Sequence, residues 1–301
     1  IVRDATGETV SRAASILLAR WTELAVFDSS ISQASASNGD SWVEAFADRM
    51  GLNKVGQVLN FAASGSHGPD VRNQIQEYLK NHTPRTNSLF APWWAGMTGE
   101  LALNQSTVDV AVSNYVANLT LLLEAGARSF ILPTLSPLHL VPGLSNDYTR
   151  NLDYPAINTR MEHEIDTLRT KYDLTVYRYD HTHLLEHIAA NPTAYGFTNL
   201  VDAANLKCPP GDPEQFLWWD GVNPTTAFHR LIARTTHETI TPVLMLDLPV
   251  DDGTRVVNTM LNWHGGSPPF RVQTTLDLFR VLWHGGEETL DRHASMLLMG
   301  D

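Results

Sequence analysis

Short apolar runs recur along the chain, and each breaks into small polar residues or glycines before a stretch of helical periodicity begins. Leu24–Phe27 runs into Asp28-Ser29-Ser30-Ile31-Ser32, Val58–Ala63 into Ser64-Gly65-Ser66-His67-Gly68-Pro69, and Ser88–Trp94 into Ala95-Gly96-Met97-Thr98-Gly99. Between them, Ser41–Met50, Asp70–Asn81 and Thr107–Glu124 place apolar residues at helical spacing, with Gly51 and Gly126 where C-terminal caps belong. The rhythm continues through a strand at Ser129–Leu132, a helix at Pro155–Tyr172, a strand at Leu174–Tyr179 and a helix from Pro224 to about Thr239. Residues 10–21 have the spacing of a leading helix, with Thr9 or Ser11 as its cap. Such alternation predicts an α/β fold: a central parallel sheet covered on both faces, with functional loops leaving the carboxyl ends of its strands.

After residue 240 the rhythm lapses, so residues 1–240 are read as the α/β domain and 241–301 as a C-terminal extension. The extension holds Trp263-His264-Gly265-Gly266 and Trp283-His284-Gly285-Gly286, too few copies for a solenoid. We read it as helical, packing on the domain or serving as a homo-oligomer contact.

Composition excludes several function classes. The 301 residues are 43% hydrophobic and 18% charged, which suits a globular domain with a substantial core. Lys and Arg number 21 against 33 Asp and Glu, a net charge of -12, and no basic run offers the surface that nucleic acid requires. Val243–Leu248 and Phe130–Leu135, the most apolar stretches, fall far short of the roughly 18–20 residues that span a bilayer. Cys208 is the lone cysteine, which rules out an intrachain disulfide, a CxxC pair and a thiolate zinc site. The chain begins at Ile1, so it is read as a processed or trimmed form; a soluble protein is expected, with a cytoplasmic location favoured over secretion. Sequons at Asn81, Asn104 and Asn118 occur about as often as chance provides.

The strand-end loops resemble, in order and spacing, the sequence blocks of the GDSL/SGNH hydrolase family from about Leu24 to Thr236. Phe27-Asp28-Ser29-Ser30-Ile31-Ser32-Gln33 is similar to the family's Phe-Gly-Asp-Ser-Leu-Ser-Asp segment, with Ser30 in the nucleophile's place. Asn60-Phe61-Ala62-Ala63-Ser64-Gly65 resembles the Asn-Tyr-Ala-x-x-Gly block, whose Gly gives a backbone N–H to the oxyanion hole; Gly65 is kept. Gly96-Met97-Thr98-Gly99 stands where the family has Gly-x-Asn-Asp, so Thr98 replaces the second oxyanion donor. Leu123-Glu124-Ala125-Gly126-Ala127-Arg128 and Asn191-Pro192-Thr193-Ala194-Tyr195-Gly196-Phe197 resemble further runs of the family. Trp219-Asp220-Gly221-Val222-Asn223-Pro224-Thr225 resembles Trp-Asp-x-x-His-Pro-Thr, with Asn223 at the general base and Asp220 at the orienting carboxylate. The resemblance implies the family's flavodoxin-like three-layer α/β/α fold.

The substitutions weigh against the family's chemistry. A seryl hydroxyl needs a base that titrates near neutral pH, and an amide is not one. In serine proteases, losing the Ser or the His alone costs about a million-fold, or roughly 8 kcal/mol. Losing one oxyanion donor typically costs about 10²–10³.

His67, two residues past Gly65, is the best substitute base in sequence terms, although a loop histidine bonded to backbone or solvent is the plainer reading. His229 is expected to miss the cleft. His183 and His187 share a helical face near His181, but without enough carboxylates for a metal site, and no metal or cofactor is expected. Asp220 could accept from Ser30, act as an acid or base, or cap the helix beginning near Pro224. Ser29 adjoins the nucleophile position, while Trp93-Trp94 and Trp218-Trp219 abut the same loops and are candidates to line a pocket for an apolar or aromatic small molecule.

The sequence therefore predicts a non-hydrolytic step, such as cyclisation, isomerisation or cycloaddition in secondary metabolism. Ser30, Thr98, Asn223 and Asp220 would supply hydrogen bonds, Gly65 a backbone N–H and His67 proton transfer. The alternatives are a slow esterase or acetylesterase built on Ser30 with a substitute base, and a binding or scaffold protein without catalysis.

Overall fold

A computed structural model describes residues 21–94, 96–207 and 211–240 in full, and 243–249 and 256–262 as backbone strands. The chain divides into two compact units, residues 21–237 and a second comprising 1–20 and 238–301. The expected leading helix (apart from Trp21), Cys208 and both Trp-His-Gly-Gly segments lie outside the described residues.

In the larger unit, β1 (Glu23–Phe27), β2 (Val58–Asn60), β3 (Ser88–Pro92), β4 (Ser129–Pro133) and β5 (Thr175–Tyr179) form one sheet in the order β2-β1-β3-β4-β5. Every pairing is parallel, with Val26 opposite Asn60 and Ala91, and Ile131 opposite Tyr177. This is the flavodoxin-like order. All residues of β1, β3 and β4 are buried, so both faces of the sheet are covered, which is why these strands read as unbroken apolar runs.

The longer helices are α1 (Trp42–Arg49), α2 (Gly68–Asn81), α3 (Met97–Ala102), α4 (Val108–Glu124), α5 (Tyr154–Lys171), α6 (His181–Ala190) and α7 (Thr226–Ile240). Their starts follow local chemistry. Ser41 and Glu44 make a capping box on α1, Thr107 caps α4, Asp153 caps α5 and Asp180 caps α6. Helix α4 packs against α2, α3 and α5. A short parallel pair, β6 (Asn199–Ala203) with β7 (Phe216–Trp218), precedes the last block of the candidate site.

The extension departs from expectation where it is described. Val243–Pro249 (β8) and Val256–Asn262 (β9) are antiparallel strands, with Met245 opposite Met260 and Leu248 opposite Val257. The helical reading is corrected for these residues. The missed signal was two runs rich in strand-forming residues on either side of Asp252-Gly253, a pair that favours hairpins.

Candidate functional site

Strand β1 carries the chain out at the carboxyl edge of the sheet, and Ser30–Ser32 folds there into a single 3₁₀ turn. Ser29 and Ser30 are half-buried, and Ser32 beneath them is fully buried. Ser32 Oγ donates to Asp28 Oδ2 at 2.6 Å and accepts from Trp42 Nε1 at 2.8 Å. Asn60 Nδ2 donates to the Ser32 carbonyl at 2.6 Å, and Gln33 Nε2 to the Ala62 carbonyl at 2.9 Å. These bonds tie the turn to the end of β2. Burial pushes the Asp28 carboxyl up to about 8, against the opposing pull of the Ser32 hydroxyl and the Ser29 N–H.

The second loop is anchored to the first. Gln74 of α2 accepts from Asp28 N and donates to Asp28 O and to Ser66 Oγ, each at 2.9 Å. Gly65 has φ +78°, the left-handed region that glycine enters without strain. An open groove of about 760 Å³ runs between this loop and α2, lined in part by Phe61, Ser64, Gly65, Ser66, Asp70 and Gln74.

The third loop presses directly on the second. Gly96 has φ +84°, and a Cβ there would collide with the His67 carbonyl carbon and the Gly68 nitrogen. Buried Glu100 accepts from Gly68 N at 3.1 Å and from Asn114 Nδ2 at 3.0 Å, while Asn118 Nδ2 donates to the Gly68 carbonyl at 3.0 Å. The His67 ring lies against α3, where a Cβ on Gly99 would stand 2.8 Å from Nδ1. Among the described residues, His67 Nδ1 and Thr98 Oγ1 are buried without hydrogen-bond partners.

The last block closes around Asp220. Its Oδ1 accepts from Val222 N at 2.7 Å and Asn223 N at 2.6 Å, and its Oδ2 from Asn223 Nδ2 at 2.8 Å. Asp220 thus orients Asn223 and builds the turn; it accepts nothing from Ser30 and does not cap α7. Thr225 Oγ1 accepts from Phe228 N at 3.5 Å, and a further cap comes from across the site: Asn38 Oδ1 accepts from Thr226 N at 2.8 Å, and Ser37 Oγ donates to the Pro224 carbonyl at 2.8 Å. The segment after the Ser30 turn is thereby stapled to the Asn223 block. Asn223 is 7% exposed, and its Oδ1 is buried without a partner among the described residues.

Three of the four candidate tryptophans pack into the core. Trp93 and Trp218 are buried, as is Trp94, and none of them lines the groove beside Gly65. Trp93 stacks on Trp42 with ring centroids 3.9 Å apart and lies 5.4 Å from Tyr179. Trp94 adopts φ +39°, an unfavourable backbone for a bulky residue, held by Nε1 donating to the Thr134 carbonyl and by its ring against His181. Trp218 packs edge-on against Phe228, and only Trp219 keeps partial exposure. The rings are spent on the core because the strand ends after β3 and β7 are roofed by other elements, which spacing alone does not reveal.

Of the remaining histidines, His183 and His187 share an exposed helical face with rings 4.0 Å apart, whereas His181 turns inward to Tyr179 Oη at 3.0 Å. His229 is fully buried in α7, and neither ring nitrogen has a partner among the described residues. Sequence reasoning missed Asp28, Gln74 and Asn38 as organisers of the site. Only Asp28 left a signal, an acid at the end of an apolar strand where the resembled family has glycine.

The family model described as GDSL-like lipase/acylhydrolase matches residues 22–235. The chain is 26% identical over 231 residues to the thermolabile hemolysin of Vibrio parahaemolyticus, covering 65% of this chain and 54% of that protein. It is likewise 26% identical over 209 residues to a GDSL esterase/lipase of Arabidopsis thaliana, covering 62% of this chain and 57% of that one. The chain thus spans about half the length of the curated relatives it matches. Among solved structures, a member of the lipolytic G-D-S-L family from Veillonella parvula aligns with a TM-score of 0.46 at 12% identity, covering 72% of this chain and 95% of that one. From β1 to α7, the chain belongs to the GDSL-like lipase/acylhydrolase family.

Proposed function

We propose that the Ser30 cleft binds and orients a small carbonyl-bearing molecule and promotes a step other than ordinary serine hydrolysis. The observation that carries this reading is the bond from Asn223 Nδ2 to Asp220 Oδ2 at 2.8 Å. The acidic neighbour fixes the amide so that its nitrogen faces Asp220, which leaves its carbonyl oxygen and one N–H but no basic atom. That oxygen can accept a hydrogen bond but cannot take a proton from Ser30 near neutral pH, so the step that activates a seryl nucleophile lacks its base.

Cyclisation, isomerisation or cycloaddition suits such a site, because orientation and a few fixed hydrogen bonds accelerate these reactions without a covalent intermediate. The groove beside Gly65 combines the apolar Phe61 and Ala63 with hydroxyl, carboxamide and carboxylate groups, which suits a ligand with both an apolar part and hydrogen-bonding groups. The test is turnover of short-chain aryl esters by wild type and Ser30→Ala. Equal, background-level rates support the proposal; robust turnover lost in the variant overturns it.

One observation favours a second reading, a slow esterase. Among the described residues His67 Nδ1 is buried and unpartnered against Gly99, so a modest shift of the loop would free an imidazole in the cleft. Ser30-dependent turnover abolished by His67→Gln would select it.

A further inference from the structure

Asp28 is a buried carboxyl directly behind the Ser30 turn, and the proposed reaction does not use it. It stands two residues before Ser30, where the family resemblance places a glycine, so it adds an ionisable group to the core directly under the turn. Its side chain meets Ser32, whose Oγ also receives the indole N–H of Trp42. Its backbone is clasped at both N and O by Gln74, which reaches on to Ser66 beside Gly65. One residue therefore connects the Ser30 turn, the Gly65 loop, α1 and α2.

The proton count at Ser32 makes this connection two-valued. When Asp28 is ionised, both its oxygens only accept, so the Ser32 hydrogen must point to Oδ2 while a Ser32 lone pair takes the Trp42 N–H. When Asp28 is neutral, its own hydrogen can point to Ser32 Oγ, and the Ser32 hydrogen is released toward the turn. The proton lost on ionisation passes to solvent.

We infer that Asp28 is a positioning residue for the Ser30 turn, and that its protonation state sets the arrangement of the turn and, through Gln74 and Ser66, of the Gly65 loop. The inference rests on reading that turn as the floor of a ligand cleft, but it does not require that the cleft lack hydrolysis. No charged side chain shares the Asp28 bonds. On β1, Glu23 accepts from Tyr78 of α2; on α2, Asp70 accepts from His67 N, and Glu77 pairs with Lys80. On α1, Glu44 accepts from Ser41, and His67 of the connecting loop lies against Gly99. Burial holds the Asp28 proton on at neutral pH, so the change falls near pH 8.

The test is a pH titration of the full ¹⁵N-labelled chain by NMR, with the Trp42 indole assigned through Trp42→Phe. The Trp42 indole N–H and the Ser30 and Ser66 amides are expected to shift together with one midpoint between about pH 7 and 9, and to stop titrating in Asp28→Asn. Ser32→Ala, which keeps the carboxyl but removes a bond that favours its ionised form, is expected to raise the midpoint at Ser30 and Ser66. A flat Trp42 resonance, a midpoint that survives Asp28→Asn, an unmoved midpoint in Ser32→Ala, or a titrating Trp42 beside flat Ser30 and Ser66 amides would each overturn the inference. Aryl-ester turnover by wild type would overturn the reading of Asn223 and leave these resonances unaffected, so the two failures are distinguishable.

Discussion

Among the described residues, buried Asp28, His181 and His229 oppose one another in the pH dependence of stability, and their combined contribution is greatest near pH 6.5. Burial raises Asp28 from 3.8 to about 8, against the hydrogen bonds from Ser32 and Ser29. Burial lowers His181 and His229 from 6.5 to about 3; His181 adds to the effect on His229, and Asp180 opposes it at His181. Between about pH 4 and 6.5 the unfolded chain holds two imidazole protons that the native state lacks, and the native state holds one carboxyl proton that the unfolded chain lacks. The unfolded chain is ahead by one proton, so stability rises with pH by about 1.4 kcal/mol per unit. From pH 6.5 to about 8, of these three only Asp28 differs, and its contribution falls by about 1.4 kcal/mol per unit.

Asp28→Asn removes the alkaline limb and steepens the acid limb to about 2.8 kcal/mol per unit, whereas His229→Leu brings the acid limb close to level, about 0. Urea unfolding followed by tryptophan fluorescence at pH 5, 6.5 and 8 reads these slopes. Taking each variant's difference from wild type cancels the exposed carboxylates. Parallel profiles for wild type and Asp28→Asn above pH 6.5 would refute the reasoning.

Three substitutions test the framework of the site. Gly96→Ala meets both a left-handed backbone and the His67–Gly68 peptide, so it should cost about 2 kcal/mol or more, seen as a lower Tm; an unchanged Tm contradicts the close loop contact. Trp93→Ala should cost about 3–5 kcal/mol in chemical denaturation because it leaves a cavity beside Trp42 and Tyr179, while Trp219→Ala should cost about 1 kcal/mol or less. The reverse ranking would restore Trp93 to the cleft. Asp220→Ala strands two backbone N–H groups and the Asn223 amide and should cost about 2–4 kcal/mol by the same assay; a neutral effect would show that the turn does not depend on them.

The sheet was legible in the sequence because strands buried on both faces must be apolar throughout, as Glu23–Phe27 and Ser129–Pro133 nearly are. The helix starts were equally legible at Ser41 and Thr107, where a short polar side chain bonds the first free N–H groups. The site was legible only as an order of loops. Block spacing proposed Ser30, Gly65, Thr98 and Asn223 as candidates, and long-range bonds tie the loops that carry Ser30, Gly65 and Asn223: Gln74 to Asp28 and Ser66, and Asn38 to Thr226. Those partners are far from the site in sequence, and a glutamine inside an amphipathic helix carries no mark of its tertiary role. The burial of three of the tryptophans was not legible for a related reason. An aromatic residue at a strand end serves a pocket or a core equally well, and the elements packed over it decide which.

The central claim is that an amide occupies the place where this family keeps its base, and Asn223→His tests it most directly. Asp220 already presents the carboxylate that would orient an imidazole. Restoring a base is worth up to about 10⁶ in turnover, and the absent oxyanion carboxamide withholds about 10²–10³, so a gain of about 10³ is expected. Wild type at background, with Asn223→His hydrolysing p-nitrophenyl acetate about 10³-fold faster and losing that gain on Ser30→Ala, is the predicted result. Ser30-dependent hydrolysis by wild type as fast as that of the variant would contradict the account.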